Sequence, residues 1–76
     1  MKDSARYIKL VEWSEEDQAF VGQCPSIIGP CCHGQDEAQV FAELCDIVED
    51  WIATLQRNGQ PLPPPTAGHN IAARIV

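Results

Sequence analysis

The chain has 76 residues, of which 45% are hydrophobic and 21% are charged. A chain of this length forms one small domain with a modest core, and its hydrophobic fraction is too high for a disordered protein. Its formal net charge is −6, with 11 carboxylates against 5 basic side chains. Nonspecific nucleic-acid binding needs Lys and Arg to neutralise phosphates, so the composition argues against it and suits a basic protein partner.

The first ten residues, MKDSARYIKL, contain no long apolar run of the kind found in a secretory signal. No stretch of the sequence approaches the ~20 apolar residues of a membrane span. We therefore expect a cytoplasmic protein that does not associate with membranes, and we expect its 4 cysteines to be reduced.

Two strands joined by an acidic turn are predicted first. Residues 7–13 (YIKLVEW) are rich in β-branched and aromatic residues and predict a strand. Alternation along it places Ile8 and Leu10 on one face and Tyr7, Val11 and Trp13 on the other. Residues 14–18 (SEEDQ) are typical of a hairpin turn, and residues 19–23 (AFVGQ) predict an antiparallel second strand.

A short third strand is predicted after a second turn. Pro25 lacks an amide proton, so it ends the second strand or lies on its edge. Residues 26–30 predict the turn, with Gly29 free to adopt a positive φ. Residues 31–33 then predict the third strand, and Gly34 leads the chain towards a helix.

The main helix is predicted within residues 35–59. Asp36 is a good N-cap because its carboxylate can accept the first free amide protons. Asn58 and Gly59 can adopt the left-handed conformation that ends helices. An apolar stripe follows three- and four-residue steps along the helix, through Phe41, Leu44, Val48, Ile52 and Leu55.

The apolar arc of this helix spans about 180°, which is wider than the ~100° stripe of a typical surface helix. Its flank carries Val40, Ile47 and Trp51. One small sheet does not readily cover such an arc, so the flank is a candidate interface for a homodimer or a larger homo-oligomer. The C-terminal part of the chain is the alternative cover.

Residues 60–65 (QPLPPP) predict a stiff connector. The tail, residues 66–76, contains a possible fourth strand at residues 71–76. The sequence thus predicts one α+β domain over residues 1–76, with a core at residues 7–59 and the order β-β-β-α-β.

The cysteines and histidines suggest a zinc site or a nucleophile, but their pattern favours neither. The candidates for zinc are Cys24, Cys31, Cys32, His33, Cys45 and His69. Structural zinc sites pair ligands two to four residues apart, whereas Cys31 and Cys32 are adjacent and point to opposite faces of a strand. A nucleophilic Cys32 with His33 or His69 lacks a third group to orient the base. We expect no metal, no cofactor and no catalytic residue.

Acidic side chains give an alternative hypothesis, a small metal-dependent hydrolase or nuclease. Glu12 and the helix residues Glu43, Asp46 and Asp50 would have to gather around a divalent cation. The three helix carboxylates lie on the polar side of the helix. A solvated acidic face is therefore the simpler interpretation.

The order and spacing of these motifs resemble the HicB-like antitoxin domain of type II toxin–antitoxin systems. The resemblance covers residues 7–65 without a gap. Ile28 stands where that family usually has proline, and Asp36 replaces the usual Ser or Thr cap. The residues that carry the resemblance are Glu12-Trp13, the turn at 14–18, Phe20-Val21, Cys24-Pro25, Ile27-Ile28-Gly29, Gly34, Val40-Phe41, Leu44 and Gly59-Gln60-Pro61-Leu62-Pro63.

This resemblance implies a truncated ribonuclease-H-like fold without that enzyme's active site, in which Pro25, Gly29 and Gly34 are structural motif positions. It also implies a partner: a small, basic, mRNA-cleaving toxin of the HicA type, whose catalytic histidine the antitoxin covers. Longer family members carry a C-terminal DNA-binding domain. Residues 66–76 are too few for one, so we expect no direct DNA binding.

Two surfaces are predicted to contact a partner. One is the acidic turn with Glu15, Glu16 and Asp17, and the other is the sheet face opposite the helix with Tyr7, Val11 and Trp13. An apolar, aromatic centre beside charged residues is typical of protein interfaces. Burial of the sheet face in a dimer is an equally good interpretation, and a further alternative is an accessory or assembly domain that has the same fold and no toxin.

Overall fold

The computed structural model describes residues 2–68 and has an α+β fold, in which a three-stranded antiparallel sheet packs against one long helix. A short 3-10 helix, Asp3–Arg6, comes first. The strands are β1 (Leu10–Ser14), β2 (Ala19–Cys24) and β3 (Ile28–Gly34), with β2 in the middle, and helix α1 is Glu37–Arg57. This confirms the predicted order of elements up to the helix. The predicted fourth strand, residues 71–76, lies outside the described residues.

Strand β1 begins at Leu10 and not at residue 7 as predicted. The backbone before it is bonded to the C-terminal part of the chain. The carbonyl oxygen of Arg6 accepts the amides of Thr66 and Ala67, both at 2.9 Å, and the Ile8 amide donates to Thr66 Oγ1 at 2.9 Å. Tyr7 has extended backbone angles, but residues 7 and 8 do not pair with β2, because the backbone groups of this segment bond to Thr66 and Ala67 instead.

Strand β3 begins at Ile28, so the predicted start at residue 31 is wrong. The turn is tight, because the Ile27 amide already donates to the carbonyl oxygen of Cys24 at 2.8 Å. The extra length of β3 is absorbed by an irregularity in the register between Gly22 and Cys24. Gly29 does not use its freedom to adopt a positive φ; among the described glycines, Gly59 and Gly68 have one.

Both predicted ends of helix α1 are confirmed. Asp36 Oδ1 accepts the amide of Ala38 at 3.0 Å and that of Gln39 at 3.5 Å, as an N-cap does. At the other end Gly59 has a φ of 69°, and the Gln60 amide donates to the carbonyl oxygen of Leu55 at 2.9 Å. These bonds occupy the free backbone groups of the helix ends.

The buried stripe of α1 differs from the predicted one. It consists of residues four apart, Val40, Leu44, Val48 and Ile52, whereas Phe41 is 44% exposed and Leu55 is half-buried. Four residues advance a helix by slightly more than one turn. The stripe therefore rotates slowly around α1.

The helix approaches the sheet closely at two glycines. A Cβ atom on Gly22 would lie 2.8 Å from Cys32 Sγ and 3.3 Å from Val40 Cγ1. A Cβ atom on Gly34 would lie 3.1 Å from Val40 Cγ2. The absence of side chains at these positions therefore lets Val40 and Leu44 sit directly on β2 and β3.

The segment after the helix returns across the domain, and we call residues 62–67 the C-terminal strap. Leu62 packs against the core cluster. The hydroxyl of Tyr7 donates to the carbonyl oxygen of Pro63 at 2.7 Å, and the bonds between Thr66 and residues 6–8 continue the contact. Neither helix in residues 2–68 combines the length and apolarity needed to cross a bilayer.

Candidate interaction surface

The acidic turn between β1 and β2 is held by its own side chains. Ser14 Oγ donates to Asp17 Oδ2 and accepts the Asp17 amide, both at 3.1 Å. Gln18 Nε2 donates to the carbonyl oxygen of Glu15 at 2.6 Å, and Gln18 has a φ of 54°. Glu15, Glu16 and Asp17 are all exposed. The turn thus presents three carboxylates on a fixed backbone.

The turn is also attached to the start of helix α1. Gln35 Nε2 donates to the carbonyl oxygen of Gln18 at 2.7 Å, across a sequence separation of 17 residues. Asp36 and Glu37 follow directly and are exposed. The carboxylates of the turn and of the first helical turn therefore lie at the same end of the domain, which we call the acidic end (residues 14–18 and 35–37).

Charge is segregated along the chain. No Lys or Arg occurs between Leu10 and Gln56, and every carboxylate except Asp3 lies in that stretch. Lys2, Arg6 and Lys9 precede β1, and Arg57 is in the last turn of α1. Because β1 runs towards the turn and α1 runs away from it, these four basic residues lie at the other end of both elements. The acidic end has no basic side chain of its own.

The predicted placement of Tyr7, Val11 and Trp13 on the sheet face opposite the helix is wrong. Tyr7 is 3% exposed within the core cluster, and Val11 packs against that cluster. Val11 pairs with Gly22, whose missing side chain would point at helix residues. Both faces of the predicted strand carry apolar residues, so alternation alone does not tell which one the helix covers.

Trp13 is the most exposed of these three residues. It is 41% exposed, and its ring meets the ring of its cross-strand partner Phe20 edge to face, with centroids 5.1 Å apart and planes at 73°. Phe20 is half-buried and packs against the core. Trp13 is therefore supported by Phe20, and it lies immediately before the acidic turn.

Two aromatic residues near this surface were missed by the sequence analysis. Phe20 had no predicted site role, because its pairing with Trp13 depends on the hairpin register, which the sequence did not fix. Phe41 was assigned to the core stripe, yet it is 44% exposed. Phe41 directly follows Val40, which packs over Gly34. Gly34 pairs with Phe20 next to the acidic turn, so Phe41 lies at that end of the domain.

The three candidate oligomer-interface residues have different environments. Val40 is 2% exposed against Gly22 and Gly34, so its assignment to an interface is wrong. Ile47 is half-buried against the core. Trp51 remains 44% exposed on α1. The sheet itself covers Val40 because the two glycines bring β2 and β3 close to the helix.

The three family-motif positions differ in how tightly their surroundings are packed. Pro25 is exposed in the turn between β2 and β3. Gly29 is exposed, and a Cβ atom there would meet nothing within 4 Å. Only Gly34 of the three is required by packing, because Val40 lies over it.

A groove of about 480 Å³ runs beside β3. Its lining residues are Asp17, Val21, Pro30, Cys31, Cys32 and His33. Cys32 is buried towards the helix, with Sγ 3.7 Å from the carbonyl oxygen of Val40. Within residues 2–68 no group of three or more His, Cys, Asp or Glu side chains is placed to hold a metal ion.

The carboxylates of the alternative hydrolase hypothesis are not brought together. Glu12 alternates with Val11, so it points away from the helix, and it is exposed opposite Val21. Asp46 and Asp50 are exposed on α1. The sheet therefore separates Glu12 from the helix carboxylates that would have to share a cation with it.

Burial makes two cysteine thiols harder to ionise. Burial raises the pKa of the Cys32 thiol to about 11, and neighbouring Cys31 adds to this effect. Burial also raises the pKa of Cys24. Since the thiolate is the nucleophile and the metal ligand, both residues are poorly suited to either role at neutral pH.

We expect the free energy of unfolding to fall as the pH rises from about 9 to about 11. The pKa of Cys32 is raised from 9.0 to about 11 in the folded protein, so the unfolded chain loses its proton first. The stabilisation is complete below about pH 9 and amounts to on the order of 2–3 kcal/mol, since each of the two pKa units corresponds to about 1.4 kcal/mol.

Urea denaturation at several pH values measures this decrease. The variant Cys32→Ala provides the control, because it lacks this thiol and keeps the other side chains of the protein. An equally steep decline in Cys32→Ala would show that other groups cause the effect.

Comparison of the chain with protein-family models, with curated proteins and with solved structures finds no match.

Proposed function

We propose that this protein is a non-enzymatic interaction module of the antitoxin type, with a HicB-like, truncated ribonuclease-H-like fold. The observation that carries the proposal is the acidic turn, in which Glu15, Glu16 and Asp17 are exposed on a backbone fixed by Ser14 and Gln18. A fixed set of like charges steers and orients an oppositely charged protein.

The partner would be a small basic toxin of the HicA type that cleaves mRNA in the cytoplasm. The net charge of −6 favours such a partner. The order of three antiparallel strands followed by one long helix agrees with what the resemblance implies for residues 7–59. Covering the toxin's catalytic surface requires no chemistry from this chain. It requires only a stable acidic surface.

An accessory or assembly domain of the same fold is the second candidate function. The exposure of Trp51 favours this second function, because 44% of this helix residue is accessible to solvent. A self-assembling protein would use this residue between copies, whereas the antitoxin proposal places the main contact at the acidic end.

Co-expression with a basic protein of about 60–90 residues, encoded by a neighbouring gene, tests the proposal. We expect the chain to bind this protein and to relieve its growth inhibition. The triple substitution Glu15→Lys, Glu16→Lys and Asp17→Lys should weaken binding by about 10- to 100-fold, because it places like charges opposite each other.

The matched control is Glu43→Lys, Asp46→Lys and Asp50→Lys, which changes the net charge equally at exposed positions of α1. It should retain most of the affinity. Equal losses in the two triple variants would show that total charge matters and the turn does not. Failure to bind or neutralise any basic neighbour would remove the antitoxin function.

A further inference from the structure

The aromatic pair of Trp13 and Phe20 lies next to the acidic end. Trp13 is 41% exposed, although its ring is supported by Phe20 at 5.1 Å. It directly precedes Ser14, whose hydroxyl is bonded twice to Asp17. An exposed indole on a rigid support can contribute a large contact area with little loss of side-chain freedom.

Carboxylates lie in the turn that joins Trp13 to Phe20, namely those of Glu15, Glu16 and Asp17. The bond from Gln35 to Gln18 attaches the start of α1 to the same turn. Exposed Phe41 lies at the same end. An apolar aromatic centre with a charged rim is the usual layout of a protein–protein interface.

We propose that Trp13 is the apolar anchor of a docking surface for a basic segment of a partner protein. Arginine or lysine side chains of that segment would pair with the carboxylates of the acidic turn. One of them would lie over the indole face, where a cation is attracted by the ring. The inference deepens the proposed function by naming its contact surface, and it rests on that function for the basic nature of the partner.

Charge complementarity favours a basic segment of a partner protein at this surface. Nucleic acid is repelled by the acidic rim. A second copy docked through the same end would place the two sets of turn carboxylates against each other, which is costly. A second copy would have to present its basic end, where Lys2, Arg6 and Lys9 lie, to the acidic end of the first. The experiment distinguishes this head-to-tail association from binding of a partner protein.

The test uses the full chain and a synthetic peptide of alternating arginine and leucine, followed by NMR. The protein has 2 Trp residues, so the Trp13 indole N–H reports on the proposed surface and the Trp51 indole N–H serves as an internal control. We expect saturable shifts at Trp13, Phe20 and the turn amides, and none at Trp51. A peptide with glutamate in place of arginine should cause no shift.

Substitutions make the test specific. Trp13→Ala should lower the affinity for the peptide about tenfold, which corresponds to about 1.4 kcal/mol. Trp51→Ala removes an equally exposed indole and should leave the affinity unchanged. Equal shifts along the exposed face of α1, or unchanged affinity in Trp13→Ala, would overturn the inference. So would a rise in mass with protein concentration that Trp13→Ala abolishes, because the occupant would then be a second copy.

The peptide experiment does not need the natural partner, so the two proposals can fail separately. A basic neighbour that binds normally to Trp13→Ala would leave the antitoxin function intact and contradict the assigned surface. Specific peptide binding without any neutralised neighbour would leave the surface intact and remove the antitoxin function.

Discussion

Leu44→Ala should destabilise the protein by about 2–5 kcal/mol, the range for removing a fully buried leucine. Leu44 is 0% exposed at the centre of the helix–sheet contact, beside the position that a Cβ atom on Gly22 would occupy. A chain of 76 residues has a small margin of stability. We therefore expect a large unfolded fraction, seen as loss of helical circular dichroism and a lower urea midpoint.

The matched control is Phe41→Ala, three residues earlier on the same helix. Phe41 is 44% exposed, so its removal should cost less than about 1 kcal/mol. The comparison distinguishes the observed stripe from the predicted one, in which Phe41 and Leu44 were equivalent. Equal losses of stability in the two variants would place Phe41 in the core and contradict the helix orientation.

Gly22→Ala is the second substitution with a large expected effect, a loss of about 1–3 kcal/mol from overpacking. The new methyl group would lie 2.8 Å from Cys32 Sγ and 3.3 Å from Val40 Cγ1. Both atoms belong to buried side chains, so relief requires the Cys32 side chain on β3 to shift and the helix to move away from β2. Urea denaturation followed by circular dichroism measures the loss.

Gly29→Ala is the control, because a Cβ atom there meets nothing within 4 Å. Its stability should stay within about 0.5 kcal/mol of the original. The double variant Gly22→Ala/Cys32→Ala removes the closest clashing atom. Its loss should be smaller than the sum of the two single losses, since the residues are in contact. Strict additivity would show that Cys32 does not limit the space at Gly22.

The sequence was sufficient for features decided within a few residues. The cap at Asp36 and the left-handed Gly59 were predicted correctly because each depends on its own turn of backbone. The start of β1 was missed because it depends on bonds between Arg6 and Thr66, which are distant in the chain. Local propensity contains no information about such bonds.

The assignment of strand faces failed for a different reason. Ile8 and Leu10 are as apolar as Val11 and Trp13, so alternation did not distinguish a covered face from an open one. The deciding feature is the pair of glycines, Gly22 and Gly34, which lie on the helix side. Small residues on one face of neighbouring strands would have indicated where a helix approaches closely.

The candidate surface was predicted in part. The acidic turn followed from composition and position alone, and its three carboxylates are exposed as expected. Phe20 supports Trp13 because the hairpin register pairs the two residues. The sequence did not determine this register, since the ends of the short strands were uncertain. The exposure of Phe41 required the orientation of the helix, which depends on the whole sheet.

The C-terminal strap has a consequence for the order of folding. Its bonds join residues 56 and 58 positions apart, from Tyr7 to Pro63 and from Ile8 to Thr66. Closing so long a loop is entropically costly until the intervening chain is compact. We expect the hairpin, β3 and helix α1 to assemble first and the strap to close last, as the step that fixes both ends of the described chain together.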